Sequence, residues 1–411
     1  MKILIVNNLY PPHSRGGAES AVANEARSLA ALGHEVSVLT TAPFVGWRSL
    51  AASEWKEDGI RIFRFFPLNF FWYRNDYKHN AFVRLLWYVG NLWGPHPVAV
   101  FKKVVKSVKP DAIHLHNING ISYNLPHICD KLKIPTVFTV HAVHYVVPSG
   151  IIIRGQKLSA WFRLFASLLR RKLHSEATIT APSQWLLDFY VERGFFKGQK
   201  MVVVVNPLSI SWDRRASPEA ARDDGNNVIA NPSLSRVKQS LPRFLYVGQI
   251  ESYKGINLML AALARLPDDM RWQLDIVGDG SMMPLLRRQR DQHVSLRGKL
   301  PPEDVIRTYA NATVLIVPSL CEENAPMVIA EAASQGLPAV AAAIGGIPEM
   351  VKDGENGLLF EPGNADDLAL QLRRIDEHSE ILEPMRKKAI ESAARYAPDK
   401  VTGEYLKLME K

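Results

Sequence analysis

Two carboxylates eight positions apart, Glu323 and Glu331, are the strongest chemical signal in the sequence. Pro326 stands between them at a place that suits the first turn of a helix, where its missing N–H costs little. The free N–H groups of such a turn, with the helix dipole, can receive a phosphate. The carboxylate before the helix can then hold sugar hydroxyls and the one inside it ribose hydroxyls. Two solvated acids on a surface helix explain the pair alone equally well.

Glycine turns after predicted strands favour the binding site over that simpler explanation. Gly248 ends one strand and allows a ligand to approach the backbone closely, and Lys254 then supplies a charge suited to a diphosphate. Gly278 ends another strand, where open α/β sheets bind ligands. Gly345 and Gly346 follow a third strand. Each turn is a weak signal, but their order and spacing together predict a phosphate-binding region.

The elements that must position these residues follow a β–α rhythm, which is typical of parallel sheets in an α/β fold. Several strand candidates are continuously apolar, as expected for strands covered by helices on both faces. The candidates are 2–7, 35–41, 111–116, 136–141, 177–181, 201–205, 243–248, 272–277, 313–317 and 338–342. The first helix is expected from Glu19 to Leu32, with Gly33 after its end.

At 411 residues the chain exceeds what one hydrophobic core usually serves, so two domains are expected. We predict an N-terminal domain over residues 1–206 and a C-terminal domain over 242–380. A junction and surface loop over 207–241 separates them, because Ser, Asp, Asn and Pro crowd there, as in Asp223–Asn227. The helical stretch 381–411 is expected to pack back towards the N-terminal domain.

The net charge of +9 is unevenly distributed along the chain. Residues 1–206 contain 25 Lys and Arg against 12 Asp and Glu, an excess of 13, and the rest contain 25 against 29, a deficit of 4. This asymmetry suggests that the first half meets an anionic partner: nucleic acid, an anionic membrane surface or a phosphorylated acceptor.

Two segments of the first half combine basic and aromatic residues. Residues 60–109 hold nine Lys and Arg against one acid, Asp76, and interleave aromatic side chains. Residues 159–174 place six apolar residues on one helical side: Trp161, Phe162, Phe165, Leu168, Leu169 and Leu173. An amphipathic, basic surface suits a membrane interface. Aromatics in a core and charges on an ordinary surface explain the same pattern, and both interpretations stay open.

The second half resembles glycosyltransferase family 4, a retaining family with the GT-B fold of two Rossmann-like domains whose parallel sheets face a central cleft. The resemblance rests on Glu323 to Glu331, then Gly336-Leu337-Pro338, Gly345-Gly346-Ile347-Pro348-Glu349 and Asn356-Gly357. In the first half, Pro11-Pro12, Gly16-Gly17 with Glu19, the segments 111–117 and 139–142, Ser183 and Asn206-Pro207 fit the same family more loosely. Matching motifs extend from residue 4 to about 360.

The resemblance implies that the N-terminal domain, 1–206, binds the acceptor and that the C-terminal domain, 242–380, binds the nucleotide sugar. It also implies a role for each matching residue. Glu323 contacts the transferred sugar, Lys254 neutralises the donor diphosphate and Glu331 holds the ribose, with His141 as a third catalytic residue. The remaining donor-binding residues are Gly16, Gly17, Gly248, Gln249, Gly278, Arg297, Gly298, Asn324, Met327 and Val328. His116, Ser183 and Asn206 line the acceptor side. Many members of the family have an arginine where this chain has Gln249, so that position departs from the pattern.

The histidines of the first half have separate expectations. His114 and His116 alternate on a strand, so one of them is expected to face a helix and be structural. His141 ends its strand, where ligands gather, and is expected to be functional. None of them suggests a metal site. The sequence contains no Asp-x-Asp pair, which argues against a metal-held diphosphate. No cofactor is predicted, and Cys129 and Cys321 match no metal or redox spacing.

These observations predict a metal-independent, retaining glycosyltransferase. A nucleotide-diphosphate sugar is the expected donor, and a glycan or lipid-linked molecule of cell-surface polysaccharide synthesis the expected acceptor; nucleic acid is not an expected partner. With no apolar run of about 20 residues, the predicted location is cytoplasmic, with peripheral attachment to the inner face of the cell membrane as an open alternative. A non-catalytic nucleotide-sugar-binding protein and an epimerase or phosphorylase of the same architecture also remain open.

Overall fold

A computed structural model describes residues 1–14, 16–209, 241–289 and 291–410. The chain divides into two compact units. Of the described residues, 1–151, 157–209 and 397–410 belong to the first unit, and 152–156 and 241–396 belong to the second. Almost all of the predicted junction loop 207–241, including Asp223–Asn227, lies outside the described residues.

The first unit is built on an eight-stranded sheet that is parallel except at one edge. Its strands are β1 (Lys2–Val6), β2 (Glu35–Thr41), β3 (Ser53–Glu57), β4 (Ile60–Phe65), β5 (Ala112–Leu115), β6 (Thr136–Thr139), β7 (Thr178–Ala181) and β8 (Met201–Val203). Their order is β3-β4-β2-β1-β5-β6-β7-β8, with β3 antiparallel to β4. The order reverses direction between β1 and β5, so loops after these two strands flank a switch point, where ligands bind in α/β sheets.

The second unit has a six-stranded, wholly parallel sheet. Its strands are β9 (Arg243–Val247), β10 (Gln273–Val277), β11 (Val294–Gly298), β12 (Val314–Val317), β13 (Ala339–Ala342) and β14 (Gly357–Phe360). They follow the order β11-β10-β9-β12-β13-β14, which is the 3-2-1-4-5-6 order of the Rossmann fold. Here the switch point lies between β9 and β12.

Helices connect the strands and cover the sheets. They are α1 (Gly17–Ala31), α2 (Ala81–Trp93), α3 (Pro95–Val108), α4 (Leu125–Leu132), α5 (Ala160–Lys172), α6 (Gln184–Glu192), α7 (Ile256–Leu263), α8 (Met283–Gln289), α9 (Pro302–Asn311), α10 (Met327–Ser334), α11 (Ile347–Met350), α12 (Ala365–Glu377), α13 (Leu382–Ala393) and α14 (Pro398–Met409). The last two lie in different units: α13 in the second and α14 in the first.

The continuously apolar strands form the cores, because a strand covered on both faces buries every side chain. Ile3 to Val6 of β1 and all of β12 and β13 are buried. The segment 201–205 was expected to behave in the same way, but β8 is an edge strand of three residues and its Met201 is exposed. Strands β3, β4, β11 and β14 were not among the predicted ones. Gly33 follows α1 with a φ of 85°, as the expected helix end requires.

Most aromatics of segment 60–109 are core residues, which agrees with the core interpretation of that pattern. Phe71, Trp72 and Tyr73 pack with Trp87 in one buried cluster. The six apolar residues that were assigned to one side of helix 159–174 differ in burial. Phe165, Leu169 and Leu173 are buried, whereas Trp161 and Leu168 are exposed.

Candidate active site

The loops that follow β9 and β12 flank the switch point of the second unit and contain the two catalytic residues predicted there. Lys254 lies in the loop between β9 and α7, and Glu323 in the loop between β12 and α10. β9 ends at Val247 and β12 begins at Val314, with 66 residues between them in the sequence. The two strands are nevertheless neighbours in the sheet. The topology therefore brings Lys254 and Glu323 to one end of the sheet, where a ligand can reach both.

Lys254 and Glu323 form a partly buried ion pair. Lys254 Nζ donates to Glu323 Oε1 across 2.6 Å, and the two side chains are 25% and 14% exposed. Ser319 Oγ donates to the same oxygen across 2.8 Å, so the carboxylate is held on two sides. Burial alone would lower the pKa of Lys254, but the neighbouring Glu323 carboxylate raises it. Lys254 is therefore cationic at neutral pH.

The start of α10 lies close to this pair in sequence, because the helix begins four residues after Glu323. Pro326 is the residue before the helix, one position earlier than expected, and Met327 and Val328 are its first two residues. Backbone N–H groups in a first turn have no acceptor within the helix and carry its positive dipole end. Asn324 belongs to the loop that leads into this turn. The arrangement suits an anion beside Glu323.

Glu331 lies inside α10, at its fifth residue. Tyr309 Oη of α9 donates to Glu331 Oε2 across 2.9 Å. Burial raises the pKa of Glu331, and the hydrogen bond from Tyr309 opposes that shift in part. The side chain is thus fixed by a neighbouring helix, as a hydroxyl-binding carboxylate would need to be. Tyr309 was not predicted as a site residue. Its only signal in the sequence is its position in the apolar pattern of helix α9, which indicates a core residue.

Strand-end glycines bring the backbones of β9, β10 and β11 into close contact. Gly248 N–H donates to the carbonyl of Val277, and Gly278 N–H to that of Gly298. A Cβ at Gly278 would overlap the carbonyl oxygen of Gly248, and its φ is 139°. Only glycine fits there. Arg297, on β11, is half exposed, and its Nε donates to Asp275 Oδ1 across 2.8 Å.

Gln249 accepts hydrogen bonds from two tyrosine hydroxyls. Its side-chain oxygen accepts from Tyr253 Oη across 2.9 Å, and its carbonyl accepts from Tyr246 Oη across 2.7 Å. These bonds keep the turn between β9 and Lys254 in shape. A glutamine here supplies no positive charge, so Lys254 is the cation that this turn contributes.

A segment from the first half of the sequence, Ile152–Gln156, belongs to the second unit. Ile153 forms an antiparallel bridge with Cys321, and Glu322 N–H donates to the carbonyl of Ile152 across 2.8 Å. This segment therefore supports the backbone just before Glu323. The sequence carried no signal for it, because a bridge between residues far apart leaves no local pattern.

In the first unit, the loop after β1 leads directly into α1. Gly16 precedes the helix, and its N–H donates to Glu19 Oε2 across 2.8 Å; Gly17 is the first helical residue. β1 ends at Val6 and α1 begins at Gly17, so a loop separates this strand from the long helix that follows it. First-turn N–H groups of such a helix have no acceptor within the helix, and the loop follows a strand that borders the switch point of this sheet. This is where the sequence placed a phosphate-facing glycine loop.

A buried polar network lies beside the same switch point. Glu25 of α1 accepts from His114 Nδ1 at 2.6 Å, and its second oxygen lies 3.3 Å from His116 Nε2. His116 Nδ1 lies 2.9 Å from His141 Nε2. Thr139 Oγ1 lies 2.7 Å from His114 Nε2. All five side chains are less than a tenth exposed.

The acid–base character of the network follows from burial and mutual contacts. Burial alone would raise the pKa of Glu25, but His114 and His116 lower it well below its usual range. Burial, with the charge of His114, lowers the pKa of His116 to about 4. Burial and the two other histidines lower the pKa of His141. At neutral pH Glu25 is therefore a carboxylate, and His116 and His141 are neutral.

These protonation states favour one tautomer of His141. A carboxylate only accepts hydrogen bonds, so the 3.3 Å contact with Glu25 favours the tautomer of neutral His116 that carries its proton on Nε2. Its Nδ1 is then an acceptor, and the partner atom, His141 Nε2, must carry the proton of that ring. It follows that His141 Nδ1 is an acceptor. An acceptor nitrogen suits a hydroxyl, which is what both a sugar and an alcohol acceptor present.

The expectation that His114 and His116 face opposite sides is wrong, since residues two apart on a strand point to the same face. Their ring centroids lie 3.9 Å apart and both contact Glu25. Ser183 caps α6 by accepting from Leu186 N–H across 3.2 Å. Asn206 is buried beyond β8. Their acceptor-side roles remain predictions.

Glu25, His114 and His116 are also the one group of three potential metal ligands found in the described parts of the chain. Their ligand atoms lie within 4.8 Å of one another. The contact of 2.6 Å between Glu25 and His114 has hydrogen-bond length. Shared protons therefore account for the spacing of this cluster, which the sequence did not indicate as a metal site.

Two family models match the chain. Residues 15–212 match "Glycosyltransferase Family 4", and residues 241–378 match "Glycosyl transferases group 1". The chain belongs to this glycosyltransferase family. It is 24% identical over 359 residues to an uncharacterized 42.6 kDa protein in the cps region of Klebsiella pneumoniae. The matched region covers 85% of this chain and 87% of that protein.

Solved structures of other proteins share the fold of this chain. Sucrose-phosphate synthase from Thermosynechococcus elongatus is 19% identical and superposes with a TM-score of 0.75 over 99% of this glycosyltransferase and 98% of that chain. HepE from Anabaena, in complex with UDP-glucose, is 18% identical with a TM-score of 0.64 over 100% and 99%. The glycosyltransferase described here thus has the α/β architecture of GT-B enzymes, with a parallel sheet in each unit.

Proposed function

We propose that this glycosyltransferase moves a sugar from a nucleotide-diphosphate donor to an acceptor hydroxyl, with retention of the anomeric configuration. The observation that carries the proposal is the Lys254–Glu323 pair beside the start of α10. In a nucleotide sugar the anomeric carbon is bonded to the diphosphate. A cation for the phosphates and a carboxylate for the sugar must therefore be neighbours, and here they are 2.6 Å apart.

A UDP-sugar is the first donor to test. HepE, a structural neighbour, has been solved with UDP-glucose, and the strand order of the second unit is that of a nucleotide-binding sheet. Glu331, fixed by Tyr309, is proposed to hold the ribose hydroxyls. Backbone groups beside Arg297 and Gly298 are proposed to border the base.

Transfer is proposed to proceed by loss of the nucleotide diphosphate and attack of the acceptor on the same face of the sugar. The bond between the anomeric carbon and the phosphate oxygen breaks, and one to the acceptor oxygen forms, while the hydroxyl proton leaves with the phosphate. Lys254 and the first-turn N–H groups of α10 stabilise the departing negative charge, an effect worth several kcal/mol in an ordered site. His141 Nδ1 is proposed to accept a hydrogen bond from a sugar or acceptor hydroxyl.

A glycan or lipid-linked acceptor in cell-surface polysaccharide synthesis is the acceptor class we propose. A relative covering most of the chain lies in the cps region of Klebsiella pneumoniae. The basic excess of residues 1–206 is consistent with an acceptor that carries phosphate or lies at an anionic surface. A location on the inner face of the cell membrane, peripheral to it, is part of this proposal.

Incubation with radiolabelled UDP-, GDP- and ADP-sugars, with and without a lipid-linked acceptor, tests the function. We expect labelled product with one donor class and at least a 100-fold loss in Glu323→Gln, which keeps the shape of the side chain but not its charge. Glu355→Gln, at an exposed acid of the same unit, is the matched control and should retain full turnover.

The alternatives give different products in the same assay. A phosphorylase would release a sugar phosphate when orthophosphate is the acceptor, and an epimerase would change the sugar while it stays on the nucleotide. Donor binding without any product in the presence of suitable acceptors would indicate a non-catalytic nucleotide-sugar-binding protein. Full activity in a folded Glu323→Gln variant would remove Glu323 from the active site.

A further inference from the structure

Helices α2 and α5 of the first unit each expose an apolar stripe. On α2 the side chains of Phe82, Val89 and Trp93 are 66%, 39% and 57% exposed. Their spacing of seven and four residues places them on one helical face. The opposite side of α2 is anchored in the core, where Trp87 is buried. The stripe on α2 is therefore not a core face that failed to pack.

Helix α5 repeats this arrangement. Trp161, Leu164 and Leu168 are 41%, 54% and 45% exposed and are spaced by three and four residues. Phe165 and Leu169, on the neighbouring part of the helix surface, are buried. The apolar part of the helix surface is therefore wider than the part that meets the core. Large apolar side chains grouped on an exposed helix face mark an interaction site.

The two helices lie side by side. The rings of Tyr88 and Phe165 are 5.4 Å apart, and Lys172 Nζ lies 5.7 Å from the centre of the Trp93 ring. The second contact lies C-terminal to the first on both helices, so α2 and α5 run in the same direction. We call the six exposed residues, Phe82, Val89, Trp93, Trp161, Leu164 and Leu168, the docking surface.

The charges on the two helices have one sign. Helices α2 and α5 contain Arg84, Arg163, Arg170, Arg171 and Lys172 and no acidic residue. Arg163 and Arg171 are exposed. From residue 131 to 175 the chain contains eight Lys and Arg and no Asp or Glu. A partner that covers the docking surface must therefore tolerate or carry negative charge.

We propose that the docking surface binds an anionic lipid membrane, with its aromatic and leucine side chains in the interface and the flanking arginines at the headgroups. Aromatic residues are favoured at a membrane interface, and basic residues attract anionic lipids. Neither helix, at 13 residues, approaches the length that spans a bilayer. Across the described chain, no helix is both long and apolar enough to cross a membrane.

This inference deepens the proposed function, because it names the surface at which a lipid-linked acceptor would be met. The docking surface lies apart in sequence from the residues assigned to the donor. Lipid binding and sugar transfer can therefore be measured separately, and the failure of one does not imply the failure of the other.

Flotation of the full chain with vesicles tests the proposal. The vesicles are phosphatidylcholine alone or phosphatidylcholine with a third of phosphatidylglycerol. We expect binding to the anionic vesicles only, weakened at least tenfold when the salt concentration rises from 50 to 500 mM. Arg163→Gln/Arg171→Gln should weaken binding by about fivefold per charge removed. Arg287→Gln/Arg288→Gln, at exposed arginines of the second unit, is the matched control.

The apolar contribution is tested with Phe82→Ser/Trp93→Ser/Trp161→Ser. We expect at least a 100-fold loss of binding to anionic vesicles, since three aromatic side chains no longer leave water. Leu285→Ser/Leu370→Ser, at exposed leucines of the second unit, should bind as the unchanged chain does. Transfer to a water-soluble acceptor should persist in all these variants, which also shows that they are folded.

Equal binding to neutral and anionic vesicles, no binding to either, or undiminished binding by the triple variant would each overturn the proposal. If the chain instead forms a stable complex with a second copy that the triple variant abolishes, the docking surface is a protein interface. Absence of transfer by the unchanged chain with every donor and acceptor would count against the proposed function and leave the vesicle result unaffected.

Discussion

Lys254 and Glu323 share one contact but are expected to serve different parts of the donor. Lys254→Gln should weaken the binding of UDP itself by roughly 10- to 100-fold, because a charge-assisted hydrogen bond contributes about 1.5–3 kcal/mol. Glu323→Gln should leave UDP binding unchanged or stronger, since it removes a negative charge 2.6 Å from that cation. Isothermal titration calorimetry with UDP measures both constants.

Each of these two variants serves as the control for the other. Both remove one member of the same ion pair, so a merely structural pair would give the same effect from either side. Equal weakening of UDP binding by the two substitutions would contradict the assignment of phosphate to Lys254 and sugar to Glu323.

The buried histidines make stability depend on pH in a defined direction. His116 has a folded-state pKa of about 4 against 6.5 for an ordinary histidine. Between these values the unfolded chain binds a proton that the folded one does not, so the free energy of unfolding falls as the pH falls. The loss from His116 amounts to about 3 kcal/mol at pH 4. The shift of His141 has the same sign.

Urea denaturation of the chain at several pH values between 7 and 4 measures this dependence. His116→Asn should show a flatter pH profile than the unchanged chain, whatever its stability at pH 7. His127→Asn, at an exposed histidine, should keep the full slope. A slope that is the same in all three proteins would show that His116 is not held neutral in the fold.

Residue types predicted the charged part of the site better than the buried part. Lys254, Glu323 and Glu331 were assigned from their spacing and from the glycine turns around them. Glu25 was not, because its partner His114 is 89 positions away and only the fold brings them together. The available signal was a carboxylate on the buried face of α1, since an acid there requires a partner.

At the scale of elements, the loop Gly345–Gly346 controls the position of Glu323. Gly346 N–H donates to the Glu323 carbonyl, and a Cβ at Gly345 would overlap that same oxygen. Gly345→Ala should therefore move Glu323 and lower turnover by at least tenfold in a folded protein. Steady-state kinetics with circular dichroism measures both properties.

Gly354 provides the control that separates overlap from backbone strain. Its φ of 75° is as unfavourable for alanine as the 60° of Gly345, but nothing lies within 4 Å of its would-be Cβ. Gly354→Ala should cost about 1 kcal/mol of stability and leave turnover intact. Equal effects of the two substitutions on turnover would contradict a specific role for the Gly345 loop.

Elements were predictable where one pattern dominated. Apolar runs such as Val314–Val317 identified the central strands, because both of their faces are covered. The exposed β3, which contains only one residue that is not exposed, has no such run. The apolar residues of helix α5 cover a wide part of its surface, and the sequence alone does not say which of them meet the core.

For the whole molecule, the proposed chemistry needs no divalent metal. Lys254 and the start of α10 supply the positive charge that a metal ion supplies elsewhere. Initial rates in excess EDTA should equal those without it to within about twofold. A loss of activity that magnesium or manganese restores would contradict this expectation, and metal analysis of the washed protein would then test the cluster of Glu25, His114 and His116.

The division into two units was expected from chain length, and the stretch 381–411 was expected to pack back towards the first of them, but the place of Ile152–Gln156 in the second unit was not expected. Ile152–Gln156 belongs to the second unit, and α14 belongs to the first, where the Tyr405 ring lies 4.6 Å from that of His114. Both depend on contacts between residues far apart in sequence, which local periodicity does not encode. Composition and strand patterns identify the two units, whereas a segment that belongs to the other unit is recognised only in the structure.

The stereochemistry of the product tests the central claim most directly. Proton NMR of the product formed from an α-linked nucleotide sugar and its acceptor reports the anomeric configuration, which a glycosidic bond preserves because a glycoside does not interconvert between anomers. The proposed mechanism predicts an α-glycoside that forms at the rate of nucleotide diphosphate release and is absent with Glu323→Gln. A β-glycoside would contradict retention, and no glycoside from any donor and acceptor pair would contradict the transferase itself.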